Sequence, residues 1–347
     1  MNDDFQRRMA EAARLMRSGS LMEATAAIQQ ALGATPMAKQ DDADVIDVEA
    51  RVIPDVDAKP ASSAVRGTTE SFTAGHFRNE CGGRDYKLFE PARDGRPLPL
   101  VVMLHGCTQD PDDFARGTRM NALAREQGFL VLYPAQSQRA NAQRCWNWFK
   151  HNHQARDKGE PAILAGMVRE AIATHGVDPA RVYVAGLSAG GAMAAILGDA
   201  YPDLFAAVGV HSGLPTGSAT DVQSAFAAMS GGAQPMRRVA KTGPTPPTIV
   251  FHGDADTTVN VVNGERVLRA AGLFASPEVR RGSTAMGVAW SCRRFVDAQG
   301  NERAEEWTVH GAGHAWSGGD VSGSYTDPRG PDASAEMLRF FLQNPKR

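Results

Sequence analysis

Apolar residues along this chain fall into two alternating rhythms. Short unbroken apolar runs, bounded by Gly, Pro or Asp, predict buried strands at Leu98–Leu104, Phe129–Tyr133, Val182–Ala185, Ala206–His211 and Thr248–His252. Between them, helical stretches are predicted over Phe114–Gln127, Gly159–His175, Ala192–Asp199, Asp221–Met229, Asn260–Ala271 and Asp332–Gln343. Ser71–Phe77 and Tyr86–Glu90 predict two more strands on either side of Cys81-Gly82-Gly83. Val288–Val296 and Arg303–His310 predict a hairpin across Asp297-Ala298-Gln299-Gly300. Strands that alternate with helices imply an α/β fold, a mostly parallel sheet covered on both faces. Ligands of such sheets bind outside the carboxyl ends of the strands, which is where the candidate chemistry should be sought.

Ahead of this region the rhythm differs. Phe5, Met9, Met16, Leu21, Ala24 and Ile28 keep roughly helical spacing, broken at Ser18-Gly19-Ser20, so residues 1–32 read as an amphipathic helical extension. Residues 33–69 lose the periodicity and carry Pro36, Pro54, Pro60 and the acids Asp41, Asp42, Asp44 and Asp47, as a flexible acidic linker would. The catalytic domain is then expected over residues 70–347, with no separate substrate-binding domain.

Composition narrows the function. With 42% hydrophobic and 22% charged residues, the 347-residue chain can bury a large core. A formal net charge of −2 gives no basis for a nucleic-acid partner. No run approaches the ~20 apolar residues of a membrane span. Met1–Arg17 carries Asp3, Asp4, Arg7, Arg8 and Glu11 without an apolar core, unlike a conventional secretory signal. The four cysteines, Cys81, Cys107, Cys145 and Cys292, match no zinc spacing, and no phosphate-binding glycine motif occurs, so neither a metal nor a cofactor is expected.

The strongest chemical signal is Arg181–Gly191. An apolar strand passes through Gly186-Leu187-Ser188-Ala189-Gly190 into a small-residue helix, the context that turns G-x-S-x-G into a nucleophile elbow. A serine needs a base, and the base needs an orienting group. Of the nine histidines, His314 stands out, in a glycine-rich loop directly after a predicted strand and late in the chain. Asp254 and Asp256 both follow the Thr248–His252 strand, and spacing alone hardly separates them as the acid. An oxyanion would be held by the backbone N–H of Ala189 and by one from His105-Gly106-Cys107-Thr108-Gln109, with Cys107 best placed. His105 would brace that loop. The aromatics of Arg144-Cys145-Trp146-Asn147-Trp148-Phe149 suit either a loop tucked onto the core or, with Trp316 opposite, an apolar wall for an acyl chain. Cys107 and Cys145 sit on loops at the same expected edge and are candidates for a bridge.

These segments resemble the polyhydroxybutyrate depolymerase-like esterases of the α/β-hydrolase superfamily. The resemblance rests on Leu104-His105-Gly106-Cys107-Thr108-Gln109, Cys145-Trp146-Asn147-Trp148-Phe149, Gly186-Leu187-Ser188-Ala189-Gly190-Gly191, His252-Gly253-Asp254-Ala255-Asp256 and Gly313-His314-Ala315-Trp316-Ser317-Gly318-Gly319. It implies the α/β-hydrolase fold, Ser188 as nucleophile, His314 as base and Asp256 as orienting acid. It also implies hydrolysis of hydroxyalkanoate oligomers or short-chain esters through an acyl-enzyme, with a feruloyl or acetylxylan-type esterase as the alternative. A non-catalytic binding module on the same fold is the third expectation, set aside because no triad member is missing. Members that degrade solid polymer carry a secretion signal and a separate binding domain. The resemblance therefore suggests an extracellular protein, while the N-terminus leaves a cytoplasmic one open.

Overall fold

A hairpin of β1 (Ser71–Asn79) and β2 (Gly82–Glu90) opens a sheet that continues through β3 (Leu98–Leu104), β4 (Leu130–Pro134), β5 (Val177–Leu187), β6 (Ala207–His211) and β7 (Thr248–Gly253). With β8 (Glu278–Ser283), β9 (Ala289–Val296) and β10 (Glu302–Val309) it has ten strands in the order β1-β2-β4-β3-β5-β6-β7-β10-β9-β8. The middle, from β4 through β10, is parallel, and antiparallel strands cap both edges. The computed structural model describes residues 69–232, 243, 245–272 and 276–346. The helical extension expected over 1–32, and the linker expected over 33–69 apart from its last residue, lie outside the described residues.

Among the described residues the α-helices are α1 (Pro111–Thr118), α2 (Met120–Gln127), α3 (Gly159–Thr174), α4 (Ala189–Ala200), α5 (Val222–Met229), α6 (Val262–Ala270) and α7 (Ala333–Gln343). Alternate residues of β3 serve opposite cores. Leu100, Val102 and Leu104 join Leu164, Val168, Met193 and Leu197 of α3 and α4, whereas Val101 and Met103 join Met120 and Ala124 of α2 and Met337 and Phe341 of α7. Because both faces are covered, the central strands are continuous apolar runs rather than alternating ones. Each fully buried aliphatic side chain contributes about 1.5–3 kcal/mol, which commits these segments to the interior whatever their local propensity.

One expected helix differs from the structure, and one strand carries no signal in the sequence. The helix predicted over Phe114–Gln127 is two helices, because Arg119 adopts a left-handed φ of 56° between them. The Asp110 side chain caps α1 by accepting the Asp113 N–H, so the first helix begins earlier than its apolar pattern does. β8 was not predicted at all. Glu278–Ser283 is polar and mostly exposed, so it carries no hydrophobic rhythm and owes its conformation to pairing with β9.

Candidate active site

Ser188 stands between β5 and α4 with φ 57° and ψ −118°, a strained conformation for a residue with a side chain. Its N–H donates to the His211 carbonyl at 2.9 Å, and its carbonyl accepts the Ala192 N–H at 2.9 Å. The turn is this tight because α4 packs directly on β3: a Cβ on Gly190 would overlap the Leu104 carbonyl. The strain at Ser188 is thus over-determined by hydrogen bonds on both sides and by a contact only glycine permits.

Asp256 follows β7, and His314 follows β10, the strand that pairs in parallel with β7. The two loops are laced together. Ala255 N–H donates to the Ala312 carbonyl at 3.1 Å, and Asp254 N–H donates to the Val309 carbonyl at 3.2 Å. Gly253 lies so close to Ala312 that a Cβ there would overlap its carbonyl. His314 Nδ1–H donates to Asp256 Oδ2 at 2.7 Å. The other carboxylate oxygen accepts the N–H groups of Thr258 and Val259, both at 2.8 Å. Burial pushes the Asp256 carboxyl up, but hydrogen bonds from His252, His314 and the Val259 N–H outweigh it and hold the group well below the usual carboxylate range. The pair is therefore an ionised acid presenting one fixed oxygen to an imidazole.

The two aspartates meet different histidines, Asp256 meeting His314 and Asp254 meeting His310. Asp254 accepts from His310 Nδ1 at 2.7 Å and from the Gly311 N–H at 2.7 Å, so it braces the base loop from outside. His310 Nε2 in turn lies 3.2 Å from Ser291 Oγ, giving a second Ser–His–Asp chain. Ser291 sits in the interior of β9 and not at a strand-to-helix turn. Among the described residues, Ser188 Oγ and His314 Nε2 make no hydrogen bond to each other; such bonds are often long in ligand-free sites and tighten with substrate.

The loop after β3 carries Cys107, and Cys107 is disulfide-bonded to Cys145. Ala189 is the first residue of α4, so its N–H has no intrahelical acceptor and lies at the positive end of the helix. His105 is buried; its Nδ1–H donates to the Gly106 carbonyl at 2.7 Å and its Nε2 accepts the Gln136 N–H at 3.1 Å. Burial pushes its pKa down to about 4, so it stays neutral and braces the loop. Gln109 Oε1 accepts the Gly106 N–H at 2.9 Å.

Beside Ser188 lies a cavity of about 170 Å³, lined by the Cys107–Cys145 bridge, Trp148, Phe149, Leu214, Phe226 and Met229 among others. Of the three tryptophans expected to wall it, only Trp148 does so. Trp146 is 0% exposed and donates its indole N–H to the His105 carbonyl at 3.1 Å, bracing the loop from within. Trp316 is 1% exposed, lies against Phe114 and His211, and donates to Ser334 Oγ at 3.0 Å. Both are too deeply packed to meet a ligand, and α5 supplies the missing wall. Asp221 and Ser224 cap α5 reciprocally, which fixes the helix that presents Ala225, Phe226 and Met229 to the cavity.

Three residues that hold the site were not anticipated. His211 joins two catalytic-edge loops, because its carbonyl takes the Ser188 N–H and its Nε2 accepts the Ser317 N–H at 3.0 Å. Burial, and then the neighbouring His252 and His314, push its pKa down to about 3. Its place at the carboxyl end of the Ala206–His211 run was the available signal. Glu160 is buried and accepts from the Asn147 N–H at 2.7 Å, Asn147 Nδ2 at 2.7 Å and Gln136 Nε2 at 2.5 Å. Gln136 also donates to the Cys145 carbonyl at 3.0 Å, so Glu160 and Gln136 together anchor the strip from Cys145 to Asn147. No sequence pattern marks such a long-range clamp. No group of three or more His, Cys, Asp or Glu residues among the described residues could hold a metal ion, and no described helix is long and apolar enough to cross a membrane.

Comparison with known proteins places this arrangement. The family model described as esterase PHB depolymerase matches residues 85–288. The chain is 33% identical over 244 residues to poly(3-hydroxyalkanoate) depolymerase C of Paucimonas lemoignei, an alignment spanning 66% of this chain and 58% of that protein. It is 27% identical over 274 residues to poly(3-hydroxybutyrate) depolymerase of Ralstonia pickettii, spanning 74% of this chain and 56% of the relative. It is 30% identical over 187 residues to feruloyl esterase B of Thermothelomyces thermophilus, spanning 49% and 63%. The chain thus spans less than two thirds of the length of these relatives. Acetyl xylan esterase from Aspergillus awamori superposes with a TM-score of 0.62 at 19% identity, covering 78% of this chain and 99% of that one. The shared architecture is the α/β-hydrolase fold.

Proposed function

We propose for this chain, which belongs to the esterase PHB depolymerase family, that it hydrolyses carboxylic esters through a serine acyl-enzyme. Ser188 Oγ attacks the ester carbonyl while His314 Nε2 takes its proton, and Asp256 holds the imidazole in the tautomer that permits this. The tetrahedral oxyanion is met by the N–H groups of Cys107 and Ala189. As the acyl C–O bond breaks, His314 returns the proton to the departing alcohol, and a water attacks the acyl-enzyme by the reverse relay. One observation carries the proposal: a strained Ser188 at a helix N-terminus shares the carboxyl edge of the sheet with a histidine fixed at 2.7 Å by an ionised, buried aspartate.

The substrates we propose are short-chain esters and oligomers of hydroxyalkanoates. The apolar cavity beside Ser188, about 170 Å³, supports an acyl group of a few carbons. The names of the two depolymerases among the relatives support the hydroxyalkanoate class. A carbohydrate-linked ester is the second reading, supported by the feruloyl esterase similarity. The Cys107–Cys145 bridge supports action in an oxidising compartment, in keeping with an extracellular protein. The test is a panel of p-nitrophenyl butyrate, hydroxybutyrate oligomers, feruloyl sugars and acetylated xylan, run with wild type and Ser188→Ala. Cleavage of the butyrate and oligomers by wild type, lost in Ser188→Ala, is expected; full activity in Ser188→Ala would refute it.

A further inference from the structure

We infer that Tyr325 forms the leaving-alcohol side of the site and recognises alcohols that carry a second oxygen close to the scissile one. This deepens, and rests on, the esterase proposal above. Tyr325 lies in the loop between the two short paired strands β11 (Trp316–Ser317) and β12 (Thr326–Asp327). Its carbonyl accepts the Trp316 N–H at 2.7 Å, which ties its backbone to a residue two beyond His314. Its phenol oxygen lies 3.3 Å from Thr108 Oγ1, the residue next to Cys107. Tyr325 therefore spans the gap between the base loop and the oxyanion loop.

That position is outside the acyl cavity, whose lining includes neither Tyr325 nor Thr108. His314 must deliver its proton to the departing alcohol oxygen, so the alcohol sits towards the His314 loop while the acyl group fills the apolar cavity. Tyr325 is on the alcohol's path.

Its conformation argues for a role of this kind. A half-exposed tyrosine, 48% accessible, gains little from burial, yet Tyr325 holds a left-handed φ of 52°. Strain of this sort persists only where the surroundings impose it, and the neighbourhood does so twice. Besides the Trp316 bond, Gln109 Nε2 donates to the preceding Ser324 carbonyl at 3.0 Å. Gln109 also accepts the Gly106 N–H, so one side chain links the loop after β3 to the Tyr325 loop.

The phenol is not committed to its partner. Thr108 gives its own proton to the Cys107 carbonyl at 2.6 Å, so Thr108 Oγ1 can only accept from Tyr325. At 3.3 Å that bond is long for an O–H···O contact and is easily exchanged. A substrate oxygen, such as the next ester carbonyl of a hydroxyacyl chain or a neighbouring hydroxyl of a sugar, offers a better acceptor. The aromatic ring supplies a flat face for the carbons of either. The acyl side thus selects by apolar fit, and the alcohol side by a hydroxyl and a ring.

The experiment holds the acyl group constant and varies the alcohol. Butyl butyrate, the butyrate ester of methyl 3-hydroxybutanoate and glucose monobutyrate are compared with wild type, Tyr325→Phe, Tyr325→Ala and Phe226→Ala. Tyr325→Phe keeps the ring and loses only the hydroxyl. It should lower kcat/KM for the oxygenated esters, relative to butyl butyrate, by about tenfold. Tyr325→Ala should lower that ratio further, whereas Phe226→Ala, on the acyl side, should not move it. Which of the two oxygenated esters loses more tells whether a hydroxyacyl chain or a sugar is the alcohol recognised. An unchanged ratio in both Tyr325 variants, or an equal fall for all three esters, overturns the assignment. Failure of wild type to cleave any of the three would instead overturn the esterase proposal beneath it.

Discussion

Asp256 grips His314 with one oxygen while its other oxygen is already occupied by two backbone amides. The acid cannot rotate without giving up one of these sets, so the imidazole has one orientation and one tautomer. Asp256→Asn would put a neutral amide in the same space. Its kcat for p-nitrophenyl butyrate should fall by about three to four orders of magnitude with KM little changed. Asp254→Asn, which alters only the outer brace, should cost far less. Equal losses in both variants would contradict the division of roles.

The acyl cavity owes one wall to α5, where Phe226 is 44% exposed at its mouth. Phe226→Ala removes apolar contact that only a longer acyl chain reaches. Activity on p-nitrophenyl hexanoate should fall about tenfold relative to p-nitrophenyl acetate. The check is kcat/KM across the acetate, butyrate and hexanoate series, and a uniform change along it would contradict this placement of the acyl group.

The Cys107–Cys145 bridge closes a loop between residues 38 apart in sequence, and both half-cystines line the cavity beside Ser188. Replacing Cys145 with Ser should cost about 2–4 kcal/mol of stability. It should also lower kcat, because the Cys107 N–H loses part of its support. Thermal unfolding with and without reductant, paired with initial rates, measures both, and wild type indifferent to reductant would contradict the role.

His105 and His211 are held neutral, with pKa values pushed down to about 4 and about 3 by burial. In the unfolded chain each titrates near ~6.5. Between those values the unfolded state binds more protons, so stability is fully present above pH ~6.5 and is lost as pH falls. The carboxylates with lowered pKa act mainly below about pH 5, and Glu305, pushed up by burial, works in the opposite sense but is one group against two histidines. Tm at about pH 5 should lie roughly 5–10 °C below its value at about pH 7. A flat profile across that interval would contradict the burial of two neutral imidazoles.

The sheet was readable because its central strands are buried on both faces and leave unbroken apolar runs such as Leu98–Leu104. β8 was not, because Glu278–Ser283 is polar and takes its form from a neighbour. The catalytic-edge residues were readable wherever a glycine-rich loop follows a strand, as at Ser188 and His314. The choice between Asp254 and Asp256 required coordinates, since two aspartates one residue apart point to different histidines. Trp146 and Trp316 misled because an aromatic cluster in a loop looks the same whether it lines a cavity or braces it from behind. Glu160 and Tyr325 meet partners distant in sequence, and no local pattern encodes such a contact; His211 is marked only by its place at the end of the Ala206–His211 run.

Ser188, and not the look-alike Ser291, is the nucleophile we propose. A fluorophosphonate reacts with a serine whose proton is drawn off by a base and whose developing negative charge is stabilised. Wild-type protein should take up one label, mapping by peptide mass to Ser188, and the His314→Ala variant should label far more slowly. A label on Ser291, or an unlabelled protein, would contradict the account.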